Sequence, residues 1–296
     1  MNIFYVSDLY GNVRFMKQIL GLCKMLNPTV IIFNGNIFPY RINGDSNLFN
    51  LQYSSFFNEL CDYTQVLIQY GNDDLHLSIV ELNRYLDHRV KDITNSVYDL
   101  NGYQILATNY CPNWYANERK DWTRRDGKYS KQYKEYRQGI VSDISNNTLN
   151  YIKDLNFHLN DLPTHEEELK NNIVSIRDIE KTIILSCSPP IGLLLDYTSN
   201  MGYQGSYTIR KLCEGDYTNN CQPFLCLSSG FMNSPDLTGT FSYQLEKCLC
   251  LNSGQGQGVL KHMFFTISDS RVQLLTHSTM RLINPNNIKM VVTKPE

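Results

Sequence analysis

Three short apolar runs in the first seventy residues alternate with stretches of helical spacing, and each run ends in a polar loop. The runs are Ile3 to Val6, Val30 to Phe33 and Val66 to Gln69, while Val13 to Met25 and 47–60 carry the helical pattern. Such alternation predicts β-α-β units feeding a parallel sheet. Ligand sites in sheets of this kind lie beyond the carboxyl ends of the strands. SDLYGN (7–12), NGNIF (34–38) and YGNDD (70–74) fall in those places, each directly after a strand.

Further along, Val97 to Leu100 and Tyr103 to Thr108 flank Asn101-Gly102, a pair that tolerates the positive φ angles of a type I′ hairpin turn. Residues 110–140 are polar, basic and aromatic and read as an insertion. A helical stretch is expected over about 143–170, a strand at KTIILS (181–186), a helix from Gly205 to Cys213 and a strand at PFLCLSS. From 239 onward, GTFSYQ, KCLCLNSG, VLKHMFFTIS and RVQLLTHS read as alternating antiparallel strands. With no repeats and no low-complexity linker, a single domain over 1–280 is expected, followed by a loose tail at 281–296 that holds Pro285 and Pro295.

At 42% hydrophobic and 19% charged residues, the chain is excluded from the disordered, collagen-like and coiled-coil classes. A net charge of -2 gives no global pull toward nucleic acid or anionic lipid. The nine cysteines are an odd number spread through apolar runs, which points to a reducing compartment. MNIFYVSDLYG reads as a first strand, and no apolar segment is long enough for a membrane span, so a cytoplasmic location without membrane contact is expected. Cys248 and Cys250 share one face of a strand, a pattern that suits core packing, because a zinc site would need a second pair. The six histidines (76, 88, 158, 165, 262 and 277) show no metal-ligand spacing. Walker, GxSxG, GxGxxG and HExxH motifs are absent.

The order of the post-strand loops, from SDLYGN at 7–12 to NSGQGQG at 252–258, resembles the calcineurin-like metallophosphoesterases over nearly the whole chain. The resemblance is closest to the branch with a PPxGxxD segment after the fourth motif. It implies an α/β fold, an α/β/β/α sandwich of two mixed sheets flanked by helices. It also implies loops that carry Asp-x-His, Gly-Asp, Gly-Asn-His-Asp/Glu, a lone His before Pro-Pro, and Gly-His-x-His. In that family these residues hold two divalent metals (Mn, Fe or Zn) bridged by a hydroxide that attacks a phosphate ester.

Position by position, this chain departs from that pattern. Asp8 keeps its carboxylate, but Tyr10 stands where the family has His. Asn36 stands at the bridging carboxylate. Asn72 keeps its amide, but Asp73 replaces the His that protonates the leaving group. Cys187 stands at the lone His, and Gly230 and Met232 at the last two. Of seven ligand positions, Asp8 and Asn72 retain the family's residue. Asn36 supplies no bridging charge, and Tyr10, Gly230 and Met232 offer a hard cation no good donor. Asp73, ionised at neutral pH by its ordinary pKa, is poorly suited to donate a proton. Turn chemistry for Asp8, Asn34, Asn36 and Asn72, tight turns at Gly35, Gly71 and Gly192, and space-filling by Cys187, Phe231 and Met232 are the plainer roles of the same residues.

A second feature is the segment from Glu118 to Arg137, where eight Lys or Arg oppose four Asp or Glu and the rest of the chain nets -6. Trp114, Trp122, Tyr129, Tyr133 and Tyr136 interleave the charges, the composition of a surface for single-stranded nucleic acid or phosphate. Its candidate anion-binding residues are Arg119, Lys120, Arg124, Arg125 and Lys128. Alternatively, the tyrosines at i, i+4 and i+7 form the buried face of a helix. The reading that follows is a catalytically inactive, phosphoesterase-like scaffold for binding or assembly, without a cofactor and with a protein partner. The alternatives are a phosphoesterase of altered metal use, with Asp8, Asn72 and Cys187 around one zinc, and a nucleic-acid or phosphate binder working through 118–137.

Overall fold

A computed structural model describes residues 1–39, 46–112, 118–126, 138–255 and 258–277. The N-terminal half opens β1 (Asn2–Ser7), α1 (Val13–Leu26), β2 (Val30–Asn34), α2 (Ser46–Leu60), β3 (Gln65–Gln69), α3 (His76–Asn83) and β4 (Val90–Asp92). A hairpin of β5 (Val97–Leu100) and β6 (Tyr103–Thr108) follows, then a second of β7 (Gly139–Asp143) and β8 (Thr148–Ile152), then α4 (Leu155–Asn160) and α5 (His165–Ile173). The chain continues through β9 (Thr182–Ser186), the short β10 (Tyr197–Thr198) and β11 (Gly202–Tyr203), α6 (Tyr207–Glu214), β12 (Leu225–Ser228) and α7 (Ser234–Thr238). Strands β13 (Ser242–Leu245), β14 (Cys248–Asn252), β15 (Met263–Ser268) and β16 (Arg271–His277) close it.

Two six-stranded sheets result, in the orders β16-β15-β1-β2-β3-β4 and β13-β14-β12-β9-β6-β5. Strands β1 to β4 run parallel, as do β6, β9, β12 and β14, while β15, β16, β5 and β13 supply antiparallel edges. Alternation along each strand divides the core into three. Ile3, Tyr5, Ile32, Ile183, Leu185, Leu225 and Leu227 fill the space between the sheets. Phe4, Val6, Ile31 and Phe33 pack outward with Phe15, Ile19 and Phe57 of α1 and α2. Leu106, Ile184, Cys226 and Cys250 face outward on the second sheet with Leu169 of α5 and Ile209 and Leu212 of α6. Each sheet is thus buried on both faces, which is why its central strands read as continuous apolar runs. This is the expected α/β/β/α sandwich of two mixed sheets.

Local signals explain the boundaries. Asn12 caps α1 by accepting from the backbone N–H of Arg14 and Phe15, and Asn27 ends the helix in the left-handed region at φ +46°. Asn101 and Gly102, at φ +48° and +86°, make the turn between β5 and β6. The expected helix over 143–170 is corrected: its first third is the β7–β8 hairpin, followed by two short helices. Strand β8 is exposed at Thr148, Leu149, Asn150 and Tyr151, so no one-sided burial pattern marks it. The run from 239 onward has the expected antiparallel pairing within β13–β14 and within β15–β16, but the two pairs belong to different sheets. Strands β13 and β14 join the second sheet, β14 parallel to β12, while β15 and β16 join the first. The tail at 281–296, Trp114, and Tyr129, Tyr133 and Tyr136 lie outside the described residues. Among the described residues, no helix is long and apolar enough to cross a membrane.

A buried polar clasp joins the sheets at the carboxyl ends of their parallel strands. The Asn34 amide donates to Tyr5 Oη (2.9 Å) and to the carbonyls of Ser186 (3.0 Å) and Leu227 (3.3 Å). Gln69 Nε2 donates to Asn34 Oδ1 (2.8 Å) and to the Thr108 carbonyl (3.2 Å). Removing one member strands the others in the core, where an unpaired polar group is costly. Asn34→Ala is therefore expected to lower the unfolding free energy by about 2–4 kcal/mol in urea denaturation. A loss within error would show that the clasp contributes little.

Candidate active-site pocket

A cavity of about 790 Å³ opens beyond the carboxyl ends of β1, β2, β3 and β12, lined in part by Asp8, Tyr10, Asn36, Asn72, Asp73, Gly230, Phe231 and Met232. Seven of the eight positions matched to the family's site therefore converge on one wall. The eighth, Cys187, lies behind it in a small cluster with Cys111 and Phe231, its thiol donating to the Asn109 carbonyl at 2.7 Å. Burial pushes that thiol well above its ordinary pKa. Asp8, Tyr10 and Asn36 all adopt left-handed backbone, at φ +55°, +44° and +49°. Such strain in non-glycine residues persists only where neighbouring loops over-determine it. Gly71 is required for that crowding, since a Cβ there would collide with the backbone nitrogen and Oδ1 of Asn36.

Asn36 is the pivot of the wall. Its Nδ2 donates to Asp8 Oδ1 at 2.7 Å, and its Oδ1 accepts from the Asp73 backbone N–H at 3.0 Å. The Gly230 backbone N–H approaches both Asp8 oxygens at 3.3 and 3.2 Å. Nitrogen donors thus face both oxygens of Asp8. Burial raises the Asp8 pKa to about 8, although the bonds from Asn36, Ser7 and Gly230 work against it. Burial thus favours the protonated form of the one carboxyl group surviving from the family's ligand set.

Around Asp73 the pattern is similar. Tyr10 Oη donates to Asp73 Oδ2 at 2.7 Å, and Asn72 Nδ2 to Oδ1 at 3.1 Å. Burial raises the Asp73 pKa, while Tyr10, Arg119 and Lys120 lower it. The neighbouring Asp74, at the closing Asp/Glu position of the Gly-Asn-His-Asp/Glu pattern, ties two loops together. Its carboxylate accepts from the N–H groups of Gly71 (2.7 Å), Ile37 (3.0 Å) and Phe38 (2.9 Å), and burial brings its pKa to about 6.

The described part of the basic segment packs over these loops, which corrects the expectation of solvent-facing cations. Arg119 is buried and donates to the carbonyls of Asp73 and Pro39. Lys120 is buried, and burial lowers its pKa to about 8. Arg124 is buried over the Tyr110 ring and donates to the carbonyls of Asp121 and Thr123. Arg125 is half-buried against the Leu162 carbonyl, and Lys128 lies outside the described residues. Trp122 is not free for base stacking, since its Nε1 donates to the Asp74 carbonyl at 2.6 Å. Backbone carbonyls at the ends of the polar loops offset the cost of burying these charges.

The donor set does not fit a pair of divalent metals. Asp8 is the only family carboxylate left and already faces N–H donors, Asn36 turns its NH₂ toward it, and Cys187 turns its thiol toward a carbonyl. No described residue lining the cavity is His, Lys or Arg.

Two outcomes follow from this arrangement. Because the folded Asp8 pKa is about 8 against an ordinary 3.8, the folded chain keeps a proton that the unfolded chain has lost between those values. Its stabilising contribution is full below about pH 4 and lost as pH rises through 8. Unfolding free energy should fall over that window, and Asp8→Asn should flatten the fall; an unchanged slope in the variant would contradict the assignment. Asn36→Asp sets a second carboxyl against buried Asp8 and is expected to cost about 2–4 kcal/mol at neutral pH. A variant as stable as the parent would remove Asn36 from its pivotal role.

No family model and no curated protein sequence matches the chain. Solved structures do match it. One crystal structure superposes with a TM-score of 0.59 at 10% identity, covering 92% of this chain and 97% of the other. The protein TT1561 of Thermus thermophilus superposes with a TM-score of 0.53 at 14% identity, with the same coverage of 92% and 97%. The E. coli phosphoesterase YfcE aligns over 36% of this chain and 57% of its own, at 13% identity and a TM-score of 0.26. At these identities the likeness concerns architecture: two six-stranded mixed sheets flanked by helices, consistent with the metallophosphoesterase fold.

Proposed function

We propose that the chain is a phosphoesterase-fold protein without phosphoesterase chemistry, a pseudoenzyme that serves as a scaffold for binding or assembly. The observation that carries this reading is the amide of Asn36 standing between Asp8 and the Asp73 backbone, where the family's chemistry needs a carboxylate shared by two cations. Metal-assisted hydrolysis requires ions that activate water and clamp the attacking and leaving oxygens. Here hydrogen bonds within the wall take up those donor atoms. The leaving-group acid is replaced by Asp73, whose carboxylate is engaged by Tyr10 and Asn72.

The cavity favours an apolar occupant over a phosphate ester. Leu9, Phe15, Phe231, Met232 and Leu237 contribute to its lining, and its acidic members are Asp8 and Asp73. A phosphate there would meet these carboxyl groups, and no described residue lining the cavity is Lys, Arg or His. A protein side chain or loop is the better match in chemistry, and we assign the partner to that class. Exposed Leu237, Met201 and Tyr203 extend apolar surface near this mouth and along β11.

The reading is tested with Mn²⁺, a hard cation that the family's site takes and isolated thiols do not. Titration calorimetry is expected to show no tight Mn²⁺ binding, and hydrolysis of p-nitrophenyl phosphate and bis-p-nitrophenyl phosphate should stay at background with Mn²⁺ added. A rate that survives repurification and disappears in Asp8→Ala would overturn the proposal.

A further inference from the structure

Four cysteines far apart in the chain meet on the outer face of the second sheet, remote from the pocket wall. Cys226 on β12 and Cys250 on β14 are register partners in a parallel pair. Cys248 lies two residues earlier on the same face of β14, and Cys213 comes down from the last turn of α6, which covers that face. The Sγ atoms of Cys213, Cys248 and Cys250 all lie within 4.8 Å of one another, with Cys248 and Cys250 at 4.0 Å. The Cys226 thiol interacts with those of Cys213 and Cys250. All four are buried.

Packing alone accounts poorly for this concentration. Four of the twelve residues in this core cluster are cysteines, against one, Cys23, in the core under α1 and α2 and none between the sheets. Elsewhere in the chain the same kind of space is filled by Leu, Ile and Phe. Tetrahedral zinc with four sulfurs at about 2.3 Å sets its ligands about 3.8 Å apart; the sulfurs of Cys213, Cys248 and Cys250 already lie near that spacing, and Cys226 stands beside Cys250 across the parallel strand pair. An all-sulfur set selects a soft or borderline cation over Mn²⁺ or Mg²⁺.

We propose that Cys213, Cys248 and Cys250, with Cys226 as the fourth ligand, form a structural zinc site that staples α6 to β12 and β14. Each ligand gives up its thiol proton to solvent as its sulfur bonds the ion, so loading is proton-linked. The site is closed, with no position for substrate, and its role is in stability. It is independent of the pocket: the pseudoenzyme reading could fail while this proposal stands, and the reverse.

Two measurements decide it. The full chain, reduced and metal-free, is loaded with Co²⁺; an intense near-ultraviolet sulfur-to-cobalt charge-transfer band saturating at one equivalent is expected, and Zn²⁺ should abolish it. The band should be absent in the double variant Cys248→Ser/Cys250→Ser and retained in Cys61→Ser and Asp8→Ala. Should the double variant fail to fold, X-ray absorption of the zinc-loaded parent settles the ligand set, with zinc–sulfur distances of about 2.3 Å expected. No charge-transfer band, a band that persists in the double variant, or a zinc shell of nitrogen and oxygen would each overturn the proposal.

Discussion

The shared hydrogen bonds of Asn36 are the constraint on which the rest of the pocket depends. One amide holds a buried carboxyl on one side and the backbone of the third post-strand loop on the other. An amide can do both because it carries a donor and an acceptor, whereas a carboxylate at the same place would set an acceptor against Asp8 Oδ1 where the amide now donates. Given Asn36, the burial of Asp8 is tolerated as a neutral acid, and Gly230 can bring its N–H against the other side. Tyr10, Asn72 and Arg119 then satisfy Asp73.

Hydrogen bonding to the polar loops also accounts for the described part of the basic segment. Here Arg119 and Trp122 reach the carbonyls of Asp73 and Asp74 from outside. Cations that composition alone would place on a nucleic-acid surface instead cover the loops that follow β2 and β3. Lys120 beside Asp73 follows the same logic, at the cost of a depressed pKa.

Much of the fold was legible in the sequence because parallel strands buried on both faces leave unbroken apolar runs, as at Val30 to Phe33 and Ile183 to Leu185. The Asn101-Gly102 turn was legible because its backbone requirement is local. What was not legible is nonlocal. The β7–β8 hairpin carries no alternation because its second strand is exposed. Nothing in KCLCLN states that β14 runs parallel to β12, since sheet polarity is decided by the path of the intervening chain. For the pocket, the family-matched positions were readable from the order of the loops, but the bonds of Asp74 with Ile37 and Phe38, of Asn34 with Ser186 and of Gln69 with Asn34 span 35 or more residues, and no local pattern states them. The cysteine cluster was half visible: Cys248 and Cys250 show as a pair, while Cys213 and Cys226 join them only through the placement of α6 and the register of β12.

The most direct test of the central claim is the titration of the Asp8 carboxyl itself, followed by ¹³C NMR and assigned by comparison with Asp8→Asn. Burial of Asp8, acting against the hydrogen bonds of the wall, predicts a transition near pH 8 and a carboxyl resonance untouched by Mn²⁺. A carboxylate already ionised at about pH 6, with its resonance broadened by substoichiometric Mn²⁺, would show that Asp8 still serves as a metal ligand and would contradict the account.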